Sequence, residues 1–250
     1  MNANHDQVET MRLPDFIGIG TQKGGTTTLH HMLSRQNDVY LPRQKELQFF
    51  SSKQEKSVEW YSEQFENARA NQTCGEITPY YMFHKDCPRR IGKLIPTIKL
   101  IALVRDPIER TLSQYFHAKR LGFEDLDLMS ALEAEKTRMM SGSEYSYQKH
   151  SYVSRSKYNE QLLRFEKYFP KEQLLVIKSE DLFNNSNSTF RKILDFLEVE
   201  KQTAEVTNIR ENAGEKEALE VDPEIRSWLE QELRADTEEM SRYGITWEWI

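Results

Sequence analysis

The segment Phe16-Ile17-Gly18-Ile19-Gly20-Thr21-Gln22-Lys23-Gly24-Gly25-Thr26-Thr27-Thr28 constrains this chain more than any other. Phe16 to Gly20 is a short apolar run ending in glycine, which predicts a buried strand. Leu29, Met32 and Leu33 then recur at helical spacing, which predicts a helix directly after the loop. A strand, a glycine-rich loop and a helix in that order build an anion cradle: loop N–H groups turn inward and the helix N-terminus adds its dipole. The glycines Gly20 and Gly25 have the spacing of a nucleotide-triphosphate loop. Thr26, however, stands where that loop carries its lysine, and the lysine is inside the loop at Lys23. A triphosphate needs a lysine reaching its outer groups and a hydroxyl on Mg²⁺. A shorter, less charged anion does not require the metal, and Lys23 inside the loop with the Thr26, Thr27 and Thr28 hydroxyls suits it. Without such a ligand the segment would be a glycine turn with a threonine cap.

A second strand, Lys99 to Val104, reads KLIALV, and Asp106-Pro107-Ile108-Glu109 opens a helix behind it. Asp106 is the expected cap, Pro107 suits the first helical position, and Glu109 follows three residues after the cap. An NTPase would place a Mg²⁺ carboxylate after such a strand. This chain places Arg105 there, suited to a second phosphate by bidentate pairing, with Ser113 on the helix as a further donor.

Helices are also predicted over 58–68, around Cys87 to Ile95, over 126–139, over 158–169, around Phe190 to Leu197, and after Asp222-Pro223. Strands are predicted over 73–77 and 174–177, and 141–156 reads as a polar, tyrosine-bearing loop. Alternating strands and helices predict a P-loop-like, doubly wound α/β domain with a mostly parallel sheet flanked by helices. Ligands then belong at the carboxyl ends of the strands. We expect a single domain over 14–250 after a polar segment 1–13, since 250 residues suffice for one large core.

The formal net charge of -6 argues against a nucleic-acid partner, although a local basic pocket survives that average. Cys74 and Cys87 have no metal or disulfide spacing, and no apolar run approaches the roughly 20 residues of a membrane span. A cytoplasmic protein without a bound metal is the expectation.

Taken together, the two motifs resemble those of sulfotransferases that use 3′-phosphoadenosine 5′-phosphosulfate (PAPS). Gly20 to Thr28 resembles their 5′-phosphosulfate loop, which implies donor contacts from Lys23, Gly24, Gly25, Thr26, Thr27 and Thr28. Arg105-x-Pro107-x-x-Arg110-x-x-Ser113-x-Tyr115 resembles their 3′-phosphate motif, with Arg105 and Ser113 as the ligands and adenosine 3′,5′-bisphosphate as the product. Lys45-Glu46-Leu47-Gln48-Phe49-Phe50 resembles the K-E-x-x-F-F segment of the heparan-sulfate branch, where the glutamate is the general base. This implies Glu46 as base, with Lys45 and Lys23 holding the transferring group. Glu76-Ile77-Thr78-Pro79-Tyr80-Tyr81 resembles the acceptor-cleft segment, so Gln48, Thr78 and Tyr80 are expected to touch the acceptor. Arg210, in Asn208 to Gly214, is the candidate contact from the loop that closes over the nucleotide.

The pattern departs from that branch at Ile77, where a lysine is usual, and at Gln48, where a histidine is usual. Neither the branch's Golgi anchor nor its paired cysteines are expected here. A bacterial-type soluble enzyme with a less charged acceptor is implied. His84 and His117 compete with Glu46 as base, since a histidine serves the phenol and steroid branch. The Glu46 segment implies a carbohydrate acceptor, with lipid, polyketide and phenol hydroxyls, or an amine, as alternatives. A P-loop small-molecule kinase and a non-catalytic nucleotide-binding scaffold are the rival readings.

Overall fold

The computed structural model describes residues 11–199 and 221–250. Five strands form one sheet in the order β2-β3-β1-β4-β5, and every pairing is parallel. They are β1 (Phe16–Gly20), β2 (Val39–Tyr40), β3 (Thr73–Ile77), β4 (Lys99–Val104) and β5 (Leu174–Lys178). The expected α/β architecture with a parallel sheet is present.

Residues alternate along each strand between two buried faces, as a sheet covered on both sides requires. Ile17, Ile19, Leu100, Ala102 and Val104 join Tyr61, Phe65, Tyr158, Leu162 and Phe165 on one face. Phe16, Ile77, Ile101 and Leu103 join Leu29, Leu33, Phe190 and Ile193 on the other.

Helices α1 (Thr26–Ser34), α2 (Val58–Glu63), α3 (Tyr80–Phe83), α4 (Cys87–Leu94) and α5 (Pro107–Arg120) follow the strands in turn. Then come α6 (Leu128–Met140), α7 (Glu144–Lys149), α8 (Tyr158–Glu166), α9 (Ser179–Asn184), α10 (Ser186–Leu197) and α11 (Pro223–Glu238). A third cluster, including Ile108, Leu112, Tyr115, Leu132, Tyr152, Leu229 and Leu233, packs α5, α6 and α11 together.

Several expectations are corrected. The segment 141–156 is not a loop, since it contains α7 and a 3₁₀ turn at Ser154–Ser156. Helix α2 stops at Glu63 and α8 at Glu166, each short of the predicted end. Helix α6 starts at Leu128 because Asp127 caps it, accepting from the Ser130 N–H.

The chain leaves β1 towards β2 on one side, and leaves β4 towards β5 on the other. The carboxyl ends of the neighbouring strands β1 and β4 therefore form a topological switch point, where such sheets bind ligands.

Candidate active site

The loop after β1 is anchored on the neighbouring strand. The Thr21 N–H donates to the Leu103 carbonyl at 2.7 Å, and the Gly24 N–H to the Thr21 carbonyl at 3.0 Å. Ser179, at the start of α9, donates its hydroxyl to the Gly24 carbonyl at 2.6 Å. A Cβ on Gly24 would collide with Thr21 Oγ1 and would lie 2.8 Å from the Leu103 carbonyl oxygen. Gly25 has φ 86°, and a Cβ there would meet the Phe183 ring at 2.7 Å. Both glycines are thus demanded by geometry.

Gly25 also occupies the cap position of α1, where no side chain accepts from the helix's first N–H groups. No threonine caps this helix. The start of α1 consequently aims its donors and its dipole at the loop. Thr26 and Thr28 are buried, while Thr27 is partly exposed and accepts from Lys45 Nζ at 2.6 Å.

Lys23 sits in this loop in the left-handed region, with φ 69°. Burial, and then the positive charges of Arg120, Arg105 and Arg110, push its ammonium below the ordinary lysine value. His117 is also pushed down, by burial and then by Lys23, Arg120 and Lys149. Cations gathered this way repel one another, and a bound anion would relieve all of them. The residues present thus fit a phosphosulfate nucleotide. Arg120 carries no motif, and only the folded chain brings it to Lys23.

Arg105 lies at the end of β4, partly exposed, with Glu109 at 3.7 Å. Its carbonyl accepts from the Tyr158 hydroxyl at 2.9 Å, which fixes the backbone where the strand becomes helix. Asp106 Oδ1 caps α5 through the N–H groups of Ile108 and Glu109, both at 2.9 Å, as expected. The reciprocal half of the cap is different: the Asp106 N–H donates to Glu180 at 2.9 Å, while Glu109 pairs with Arg226 of α11 at 3.0 Å. Asp106 Oδ2 accepts from the Trp249 indole at 2.7 Å. Both Asp106 oxygens are therefore engaged, as an NTPase's Mg²⁺ carboxylate would not be. Ser113 is partly exposed on α5, two turns on from Arg105. Arg110 is fully buried, held by Ser156 Oγ at 2.5 Å and by the Tyr152 carbonyl, so it supports the helix.

Glu46 and Gln48 have φ 59° and 60°, so the segment between them is sharply folded. Gln48 Nε2 donates to Glu46 Oε2 at 3.5 Å, and Ser51 Oγ donates to Gln48 Oε1 at 2.6 Å. Gln48 therefore takes a fixed orientation beside the carboxylate. Thr78 is fully buried and its hydroxyl donates to Glu76 at 2.7 Å. Ile77 packs with Leu29 and Leu33 in the core, where the heparan-sulfate pattern would put a lysine. Tyr80 is nearly buried, its ring 4.9 Å from the guanidinium of Arg155. Arg155 in turn donates to Gln22 of the loop and, at 2.7 Å, to the Gln148 carbonyl. Sequence reasoning missed Arg155, because nothing around it marks a buried cation. His84 accepts from the Asp86 N–H at 3.2 Å within its own turn. Arg210 lies outside the described residues.

Comparison with known proteins identifies the family. A family model for the sulfotransferase domain matches residues 13–250. Heparan sulfate glucosamine 3-O-sulfotransferase 5 of Homo sapiens is 30% identical over 202 residues, covering 78% of this chain and 58% of that protein. Membrane-associated sulfotransferase kil1 of Dictyostelium discoideum is 39% identical over 106 residues, covering 41% of this chain and 22% of that protein. The matches thus span less than two thirds of the length of these relatives. The crystal structure of a sulfotransferase from Alicyclobacillus acidocaldarius superposes with a TM-score of 0.82 at 24% identity, covering 95% of this chain and 99% of that one, which shows the shared fold. Among the described residues no helix is long and apolar enough to cross a membrane. The family model spans nearly the whole chain, and the chain belongs to the sulfotransferase domain family.

Proposed function

We propose that this domain transfers a sulfuryl group from PAPS to a hydroxyl of a carbohydrate acceptor, with Glu46 as the general base. The observation that carries the reading is the hydrogen bond from Lys45 Nζ to Thr27 Oγ1 at 2.6 Å, which ties the Lys45-Glu46 segment to the first turn of the anion-binding helix. A base and an anion cradle held against each other have one economical use, moving an anionic group onto a nucleophile that must lose its proton.

PAPS would supply an activated sulfuryl group on a phosphate leaving group. Lys23 and the N–H groups of the Gly24-Gly25 turn would hold the phosphosulfate, with hydroxyls from Thr26, Thr27 and Thr28 at the helix start. Arg105 and Ser113 would grip the 3′-phosphate. Lys45 would stabilise charge on the transferring group from the acceptor side. Glu46, oriented by Gln48, would accept the acceptor's proton. The heparan sulfate relatives support a sugar hydroxyl as the acceptor class. Gln48 in place of a basic group favours an acceptor less charged than heparan sulfate.

Calorimetric titration with adenosine 3′,5′-bisphosphate in EDTA, against ATP with Mg²⁺, tests the donor site. Tight metal-free binding of the bisphosphate is expected. A preference for ATP with Mg²⁺ would overturn the reading in favour of a kinase.

A further inference from the structure

Glu76 is a carboxylate in the middle of the core. It lies on β3, is 2% exposed, and is surrounded by donors. Oε1 accepts from the hydroxyls of Tyr61 and Tyr81, both at 2.9 Å, and Oε2 from Thr78 Oγ1 at 2.7 Å. The backbone N–H of Leu47 donates to it as well. Burial outweighs these bonds and pushes the Glu76 carboxyl above its ordinary value, so its retention asks for a reason.

The four donors share a destination. Leu47 follows Glu46 directly. Thr78 Oγ1, while donating to Glu76, accepts from the Gln48 N–H at 3.4 Å. Tyr81 Oη, likewise, accepts from the Phe50 N–H at 3.4 Å. Tyr61 stacks on Phe49, with ring centroids 4.3 Å apart and planes within 7°. Each residue from Leu47 to Phe50 is thus joined to Glu76 directly or through one side chain. Gln48 in this segment and Glu46 directly before it are left-handed, a conformation that residues other than glycine adopt at a cost.

We infer that Glu76 is the positioning residue of the base: its buried carboxylate anchors residues 47–50 and thereby holds Glu46 in the left-handed turn that aims it at the acceptor. The inference rests on the reading of Glu46 as base. Glutamine cannot replace Glu76 in this role. Every group around it is a donor, and an amide would turn its NH₂ towards one of them.

The test uses Glu46→Gln, Glu76→Gln, the milder Thr78→Val, and the Glu46→Gln/Glu76→Gln double variant. Adenosine 3′,5′-bisphosphate Kd is measured for each, with kcat and KM for PAPS and a desulfated heparan oligosaccharide. The bisphosphate Kd should stay within about twofold throughout, since no donor contact is touched. In Glu46→Gln kcat should fall by about 100-fold or more. In Glu76→Gln it should fall by about 10–100-fold, and in Thr78→Val by about 5-fold, with KM little changed in both. In the double variant kcat should be no lower than in Glu46→Gln alone, because a misplaced base and a missing base are the same defect. An equal further loss in the double variant, or full kcat in Glu76→Gln beside an inactive Glu46→Gln, would overturn the positioning role alone. Full activity in Glu46→Gln would overturn the base reading itself. Crystal structures of Glu76→Gln and Thr78→Val answer without any acceptor. Glu46 and Gln48 leaving the left-handed region supports the inference, and both remaining near φ 60° overturns it.

Discussion

Lys45 Nζ stands 2.6 Å from Thr27 Oγ1, so the segment carrying the proposed base and the helix proposed to receive the donor's anion meet at one hydrogen bond. Residues 18 apart in sequence are thus joined, and the proposed mechanism puts this ammonium where charge would build on a transferring group. Lys45→Met should lower kcat by about 100-fold, the size of loss seen when one donor to a developing anion is removed. Adenosine 3′,5′-bisphosphate affinity should hold within about twofold, because the loop and Arg105 are untouched. Steady-state kinetics and calorimetry on the same preparation check both halves.

Arg105 makes a separate prediction. Its only close acidic neighbour among the described residues is Glu109 at 3.7 Å, and Glu109 is already paired with Arg226 at 3.0 Å. Arg105→Ala should therefore cost little stability. It should weaken bisphosphate binding by about 10–100-fold, as loss of a charge-assisted pair implies. Adenosine 5′-phosphate, which has no 3′-phosphate, should bind wild type and variant alike. Calorimetry with the two nucleotides measures the difference.

The loop glycines should tolerate no side chain. Gly25→Ala places a Cβ at φ 86° and within 2.7 Å of the Phe183 ring. The backbone alone costs about 1–2 kcal/mol in that region. Denaturant unfolding should register that loss, and bisphosphate binding should weaken because the start of α1 is displaced. Gly122, with φ 71° and open space around it, provides the control: Gly122→Ala should show only the backbone cost and leave nucleotide affinity unchanged.

A pH dependence follows from Glu124. Burial alone would raise this carboxyl, but it accepts from Arg138 at 2.5 and 3.1 Å, from the Leu126 N–H at 2.9 Å and from Tyr152 at 2.7 Å. Those bonds outweigh burial and hold it down at about 2, against the ordinary 4.5. A depressed carboxyl stabilises the fold fully above its unfolded value and loses that contribution as pH falls through its folded one. Glu124→Gln should cost about 2 kcal/mol at pH 7. That difference from wild type should shrink as pH falls from 4.5 towards 2, which denaturant melts across that range would follow.

Much of the sheet and half of the site are legible in the amino-acid sequence. The strands KLIALV and FIGIG are continuous apolar runs because both of their faces are covered, and that burial writes itself into composition. The Asp106 cap is legible because a cap is local chemistry. Helix α7 is not: it buries none of its residues fully, so no apolar period marks it within a polar stretch. Strand β2 is two residues long and offers no pattern at all. At the site, Lys23, Arg105 and Lys45 announce themselves by position in motifs. Arg120 and Arg155 do not, because their meeting with the loop is set by how α5 and the turn at Ser154–Ser156 pack, and packing has no local signature. Glu76 is visible as a letter in a cleft segment, while its partners Tyr61, Thr78 and Tyr81 and the segment they hold are assembled from three separate stretches.

The position of β1 between β3 and β4 has a kinetic consequence. Phe16 pairs with Gly75 on one side and with Lys99 on the other, so both neighbours of the central strand arrive from far along the chain. Parallel pairings of such separation close large loops before they gain any contact, and folding that depends on them is slow. The Gly24 turn is fixed only once Leu103 is in place to receive the Thr21 N–H. The turn therefore cannot form before β1 and β4 have paired, and a nucleotide bound there would select molecules that have passed that step. Adding the bisphosphate during refolding should raise the yield by trapping the native state as it appears, with no acceleration of the steps before it.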